Sequence, residues 1–182
     1  MLLASIGHPG DKVIGLALLI MRLSLGVTVM MHGYRHIYGG GKIAGTAGWF
    51  ESLGMKPGIM HAWLASLTEL IAGGMLVVGL LVPVAAGAVM GTLLVALITN
   101  HWKNGFFIFN KGEGYEYVLM IVSMSLVLGT LGAGKFSLDK ALKYPISQYS
   151  AAGFWVTLVL GVGSALAIVG LFWRPEKTST SN

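Results

Sequence analysis

The stretch MHAWLASLTELIAGGMLVVGLLVPVAAGAVMGTLLVALITNH, residues 60–101, decides the fold class of this chain. It holds two apolar runs, Met60–Val82 and Val84–His101, which meet at Pro83. Each run approaches the roughly 20 residues that an α-helix needs to cross the hydrocarbon core of a bilayer. Because proline cannot continue a helical hydrogen-bond ladder, the two runs are predicted to be separate spans joined by a very tight turn.

Three further apolar runs continue the pattern, at Val13–Gly33, Tyr115–Leu131 and Ala152–Trp173. They predict an all-α integral membrane protein: an antiparallel four-helix transmembrane bundle plus one additional C-terminal transmembrane helix. Residues 1–140 are expected to hold the bundle and its interfacial loops. Residues 141–182 are expected to hold the fifth helix, for packing or docking, and a short polar tail.

Composition supports membrane residence and narrows the chemistry. The chain is 55% hydrophobic and 10% charged, with a mean hydropathy of +0.77, whereas soluble domains carry about 25% charged residues. The absence of cysteine excludes thiolate metal sites and iron–sulfur clusters, and no haem or flavin motif is recognisable. The net charge is +5, but the basic residues form no polybasic run. Membrane lipids are therefore expected as partners, and nucleic acid is not.

The segments between the apolar runs indicate how the chain is oriented. Arg35–Pro57 is predicted to be a loop or a short interfacial helix, and the aromatic-rich Trp102–Gly114 an interfacial loop. We call the face that holds the start of the first span side A, and the opposite face side B. Side B carries seven Lys and Arg residues against four on side A, which favours side B as cytoplasmic.

Two charged residues lie inside the predicted spans. Arg22 and Glu69 are each about nine residues into their spans, so both are expected near mid-depth. A lone charge there costs at least about 2.5–3.5 kcal/mol. The sequence therefore predicts an Arg22–Glu69 ion pair, which either locks two helices together or forms the polar floor of a ligand or proton path.

A histidine-rich stretch, HGYRHIYGGG at residues 32–41, follows the first apolar run. His32 and His36 share one side of the first helix with Arg22, at 100° per residue. His101 and Glu116 are predicted at the same membrane face, and His61 opens its helix at that level. Three interpretations stay open at this point: residues at the membrane interface, a zinc or iron site, and a pocket for a quinone head group.

A set of short motifs resembles the DoxX family in order and spacing. They are RLSLGVTVMMHG from Arg22, GWFESLGMKPG from Gly48, TELIAGGMLVVGL from Thr68, HWKNGFF from His101, GEGYEYVLM from Gly112 and GAGKFSLD from Gly132. The resemblance covers roughly residues 13–140. It implies a four-helix membrane bundle of a prokaryotic cell membrane, similar to the DoxD small subunit of thiosulfate:quinone oxidoreductase, working with other subunits of a redox complex.

The resemblance also bears on site residues. Its carried-over positions are Arg22, His32, Gly33, Glu69, His101, Glu116 and Tyr117. From these and the aromatic residues nearby we expect His101, Glu116 and His32 as catalytic residues, and Arg22, Glu69, His36, Tyr117 and Phe106 as residues that bind a non-covalent quinone. One position departs from the family pattern, because His36 stands where a lysine is usual and replaces a fixed charge with a titratable ring.

Three functions remain open on sequence alone. The first is the membrane subunit of a quinone-linked redox complex, the second a non-enzymatic accessory subunit, and the third a small transporter or proton path. The small residues of Gly87–Gly91 favour close helix packing within the chain over a homo-oligomer interface.

Overall fold

A computed structural model of the chain describes residues 9–144 and 150–175. In these ranges it holds seven α-helices. They are α1 (Pro9–Tyr38), α2 (Lys42–Ser52), α3 (Gly58–Val78), α4 (Val82–Ala96), α5 (Glu116–Leu131), α6 (Leu138–Ala141) and α7 (Ala151–Phe172). A π-helical turn, Leu97–His101, and a 3-10 turn, Trp102–Asn104, extend α4.

The long helices form an antiparallel bundle, which confirms the predicted all-α membrane fold. α1, α4 and α7 run from side A to side B, and α3 and α5 run back. α1 packs along α3, while α4 packs against α3, α5 and α7. Among the described residues, four helical stretches are long and apolar enough to span a membrane: 11–38, 58–78, 82–104 and 151–172. The fifth, α5, has 16 residues, about 24 Å at 1.5 Å per residue.

The two segments predicted at the membrane interface form a short helix and a loop, as expected. α2 is a short helix within the Arg35–Pro57 segment, and residues 105–115 form a loop at side B. α1 also extends further than its apolar run, through Tyr38, so the histidine-rich stretch continues the helix.

The hairpin between α3 and α4 is as tight as Pro83 predicts. Gly79 ends α3 in the left-handed conformation, with φ 70°, which glycine adopts without steric cost. Asp139, which is fully buried, then caps α4: its Oδ1 accepts from Leu81 N at 2.7 Å and its Oδ2 from Val82 N at 3.1 Å. A carboxylate at a helix N-terminus satisfies amides that have no partner within the helix and opposes the positive end of the dipole.

The predicted Arg22–Glu69 ion pair is wrong. Arg22 is fully buried and donates instead to backbone carbonyls at the C-terminal end of α3, to Leu76 O at 3.1 Å and Val77 O at 3.3 Å. It also donates to Phe136 O. Val77 O is one of the carbonyls at a helix end that have no intrahelical partner, and Leu76 O also accepts from Gly79 N. Arg22 therefore stabilises the side-A end of the bundle, far from the face that holds the histidines.

α7 packs closely against the rest of the bundle. Gly87 lies against Thr157 and Leu160, and Gly91 lies against Gly161 and Ser164. The Thr157 hydroxyl also donates to Pro83 O at 3.0 Å. The interpretation of Gly87–Gly91 as an internal packing surface is confirmed, and the partner helix is α7.

Candidate functional site: a polar cavity at side B

The side-B half of the bundle encloses a cavity of about 220 Å³. Every long helix contributes to its wall, together with α2 and the π-helical turn. Its polar lining consists of His32, His36, His61, Glu69, Thr92, Thr99, Asn100, His101, Glu113 and Tyr117. Its larger apolar lining includes Val29, Trp49, Phe50, Met55, Leu64, Leu93, Val118, Ile121 and Ile168.

Glu69 and His36 form the most deeply placed polar pair of the cavity. His36 Nδ1 lies 3.4 Å from Glu69 Oε2, yet the geometry makes no hydrogen bond and both atoms are buried without a partner. Glu69 is only 6% exposed. Gly33, which faces Ser66 and Glu69, lets α1 approach α3 closely at this level. The pair is therefore held together by helix packing and not by a hydrogen bond of its own.

His61 occupies a second buried position on α3, closer to side B than Glu69. It is 3% exposed, and its ring packs against the rings of Phe50 and Phe172 at centroid distances of 6.2 Å and 5.1 Å. Its Nε2 has no hydrogen-bond partner. His61 and Glu69 are eight residues apart on α3, about 12 Å along the axis, so they mark two separate polar points of the cavity.

His101 lies in the π-helical turn, a distortion that is frequent at functional sites. Its Nδ1 is 2.9 Å from Glu113 O. A carbonyl oxygen can only accept, so Nδ1 carries the proton in this contact. In the neutral ring Nε2 is then an acceptor, and Asn100 Nδ2 lies 3.4 Å from it. The loop carbonyl thus fixes the orientation and tautomer of His101.

His32 and Tyr117 connect α1 to α5 at the rim of the cavity. The Tyr117 hydroxyl lies 3.3 Å from His32 Nε2, and the two rings are tilted with centroids 6.1 Å apart. Both side chains line the cavity and are exposed.

The structure brings most of the expected site residues together. His32, His36, Glu69, His101 and Tyr117 all line the cavity.

Three expected site residues do not line it. Arg22 is at the other end of the bundle, Glu116 Oε1 accepts from Ile108 N at 3.0 Å, and Phe106 packs against Phe107 and Tyr115 in the side-B loop. Because Glu116 is in the first turn of α5, its carboxylate turns back to the loop and not toward the cavity.

Sequence reasoning missed four polar lining residues and placed a fifth without a role. Thr92, Thr99, Asn100 and Glu113 were not proposed as site residues, although Asn100 is next to His101 and Glu113 is three residues before Glu116. His61 was predicted at the correct membrane face but was given no role in the site. Within residues 9–144 and 150–175, no three His, Asp or Glu side chains are arranged to hold a metal ion, so the geometry does not support the zinc or iron interpretation.

Comparison with known families agrees with this architecture. The sequence model of the DoxX family matches residues 17–102. Residues 17–102, slightly under half of the chain, are therefore similar to the DoxX family. The DoxX region runs from α1 through the π-helical turn and contains His32, His36, His61, Glu69 and His101.

The match is shorter than the resemblance predicted, because the motifs from Gly112 and Gly132 lie beyond it. Tyr117, on α5, and Ile168, on α7, complete the cavity from outside the DoxX region. No curated protein and no solved structure matches the chain.

Proposed function

We propose that this chain is the membrane subunit of a redox assembly and that its side-B cavity docks the head group of a quinone. One observation carries the proposal: His36 Nδ1, His61 Nε2 and Glu69 Oε2 are buried polar atoms without hydrogen-bond partners on the wall of one largely apolar cavity, and the 3.4 Å contact between His36 Nδ1 and Glu69 Oε2 makes no hydrogen bond. Leaving a buried polar group unsatisfied costs about 1–3 kcal/mol. A ligand with polar groups at its edges and an apolar body relieves that cost.

The size and chemistry of the cavity fit a single substituted ring. A cavity of roughly 150 Å³ accommodates benzene in an engineered protein, and this one measures about 220 Å³. A quinone presents carbonyl acceptors, whereas the reduced quinol presents hydroxyl donors. Histidine and a carboxyl group can each donate or accept according to protonation state, so His61 and Glu69 suit both forms.

The proposed role leaves the primary oxidation to a partner subunit. Reduction of a quinone takes up two electrons and two protons. The partner that oxidises the primary substrate supplies the electrons, since this chain has no cysteine. Glu69 and His36 pass the protons, because His36 belongs to the last turns of α1 near side B. We assign side B to the cytoplasm of a prokaryotic cell on the charge bias of the loops.

A proton path across the whole membrane has less support. On α1 the buried Leu25 lies between Arg22 and the cavity-lining Val29, and on α3 the buried Ala72 lies between Glu69 and Leu76. The polar groups of the two ends therefore form separate sets, which favours a docking site open to one side over a continuous channel.

The test is quinone binding to the purified chain in lipid nanodiscs, followed by quenching of tryptophan fluorescence; Trp49 lines the cavity. We expect the Kd to rise about five- to 150-fold in Glu69→Gln and in His61→Leu, the change for losing one buried polar contact. Glu116→Gln is the matched control, because that carboxylate lies outside the cavity. If the wild-type chain does not bind quinone, or if Glu69→Gln and Glu116→Gln bind it with equal affinity, the docking function is wrong and the accessory-subunit function replaces it.

A further inference from the structure

The four helices of the bundle are joined by three closely packed seams and one sparse seam. α1 packs along α3, α3 along α4, and α4 along α5, whereas α1 and α5 touch over a much shorter length. The α1–α5 seam is therefore the side of the bundle where the interior is least covered by helix packing.

The side-A half of this seam is closed by the chain that follows α5. Gly134 lies against Leu18 of α1, and Lys135 lies against Gly15. Arg22 donates to Phe136 O and fixes the same segment. Backbone and side chains of residues 134–136 thus fill the gap beside α1 at its side-A end.

The side-B half is spanned by side chains alone. Within the described ranges, Tyr117 to His32 is the only side-chain hydrogen-bond contact between α1 and α5, at 3.3 Å. Met31, next to His32 in the sequence, and Met120, one helical turn from Tyr117, are apolar and each 61% exposed. The lipid-facing surface of a membrane bundle is apolar, so these exposed side chains favour contact of this part of the seam with lipid.

We propose that His32 and Tyr117 are the gate of a lateral portal between α1 and α5, through which a lipid-soluble quinone with an apolar tail enters from the bilayer. The inference rests on the proposed docking of a quinone and specifies which quinones the site takes. The head group reaches Glu69 and His61, while the tail remains in the seam beside Met31 and Met120. Trp49 and Glu113 also line the cavity and are exposed at side B, so the proposal includes a second mouth there, facing the side-B interface.

Opening the gate requires little rearrangement. Tyr117 and His32 are both exposed, so rotation of either side chain about χ1 separates them without moving a helix. The contact is a single hydrogen bond. Its loss should change the rate of gate opening about two- to tenfold, the range for one such bond.

The first test compares Tyr117→Phe with Tyr115→Phe in nanodiscs, using a quinone with a long isoprenoid tail. Tyr115 stacks on Trp102 in the side-B loop, outside the cavity, and is the matched control. Gating predicts that Tyr117→Phe raises both the association and the dissociation rate two- to tenfold and changes the Kd less than twofold. A change confined to the dissociation rate would show that the hydroxyl binds the ligand, and rates equal to those of Tyr115→Phe would remove the gate; either result overturns the proposal.

The second test closes the portal covalently. The chain has no cysteine, so the pair His32→Cys and Tyr117→Cys can be bridged by a short bismaleimide without side reactions. Bridging should slow association of the tailed quinone at least about tenfold relative to the same variant unbridged. A tail-less water-soluble quinone should still bind within about threefold, through the mouth at Trp49 and Glu113.

The outcomes separate the two proposals. Unchanged association of the tailed quinone after bridging, or equal loss for both quinones, overturns the portal and leaves the docking site. If the wild-type chain binds neither quinone, the docking function itself fails and the portal has no ligand to admit.

Discussion

Asp139 should be among the most sensitive positions for stability, although it is far from the cavity. Its carboxylate is fully buried and accepts two backbone hydrogen bonds, from Leu81 N and Val82 N, at the start of α4. Hydrogen bonds to charged groups contribute about 1.5–3 kcal/mol each, so the pair accounts for about 3–6 kcal/mol. Leu81 is only half-buried and its amide regains water when the cap is removed, so we expect Asp139→Ala to lose about 3–5 kcal/mol.

The assay is the free energy of unfolding in mixed micelles, measured by titration with SDS and followed by circular dichroism. Asp139→Asn should lose about half as much, because one acceptor oxygen remains. Asp11→Ala is the control, since Asp11 is exposed in the first turn of α1 and should change stability by less than about 1 kcal/mol. If Asp139→Ala lies within 1 kcal/mol of Asp11→Ala, the cap does not hold the α3–α4 hairpin as argued.

Three further outcomes follow from the packing. Arg22→Gln should lower the thermal unfolding midpoint in detergent by several degrees more than Glu69→Gln, because Arg22 caps α3 and Glu69 has no hydrogen bond to lose; equal losses would restore the predicted ion pair. Gly91→Ile should lower the free energy of unfolding by about 1–3 kcal/mol, because the new side chain would collide with α7. Gly163→Ala, where the added methyl group meets open space, should leave stability unchanged or raise it, as measured by thermal melts followed by circular dichroism. Glu116→Gln should weaken only the side-B loop, detected as faster amide exchange at Ile108 with unchanged quinone affinity.

The helices were predictable because their signal is local. The length of each apolar run predicts a helix without information about neighbouring segments. Pro83 predicts a helix end because proline cannot continue the helical hydrogen-bond ladder. The convergence of His32, His36 and His101 was predictable for a related reason. Residues at the ends of antiparallel spans meet at the same membrane face whatever the details of packing.

The error at Arg22 has a different origin. Depth counted from the ends of the apolar runs placed Arg22 opposite Glu69, but α1 begins at Pro9 and continues to Tyr38. In the structure Arg22 faces Leu76 and Val77, roughly two helical turns away from the predicted register. The register is set where glycines allow close approach and where α2 packs on α3.

The sequence by itself determined that this chain is an all-α membrane bundle with a tight central hairpin and a polar, histidine-rich face, because length, hydropathy and proline act within one segment at a time. Only the tertiary structure decided which polar residues share a cavity. It placed Glu69 beside His36, placed Arg22 and Asp139 at the opposite end, turned Glu116 toward the side-B loop and brought His61 and Asn100 into the cavity wall. These contacts depend on how far one helix is shifted along and rotated against another. A change of register by one residue moves a side chain by 1.5 Å along the axis and 100° around it. The hydropathy of either helix is the same in every register, so the sequence does not specify it.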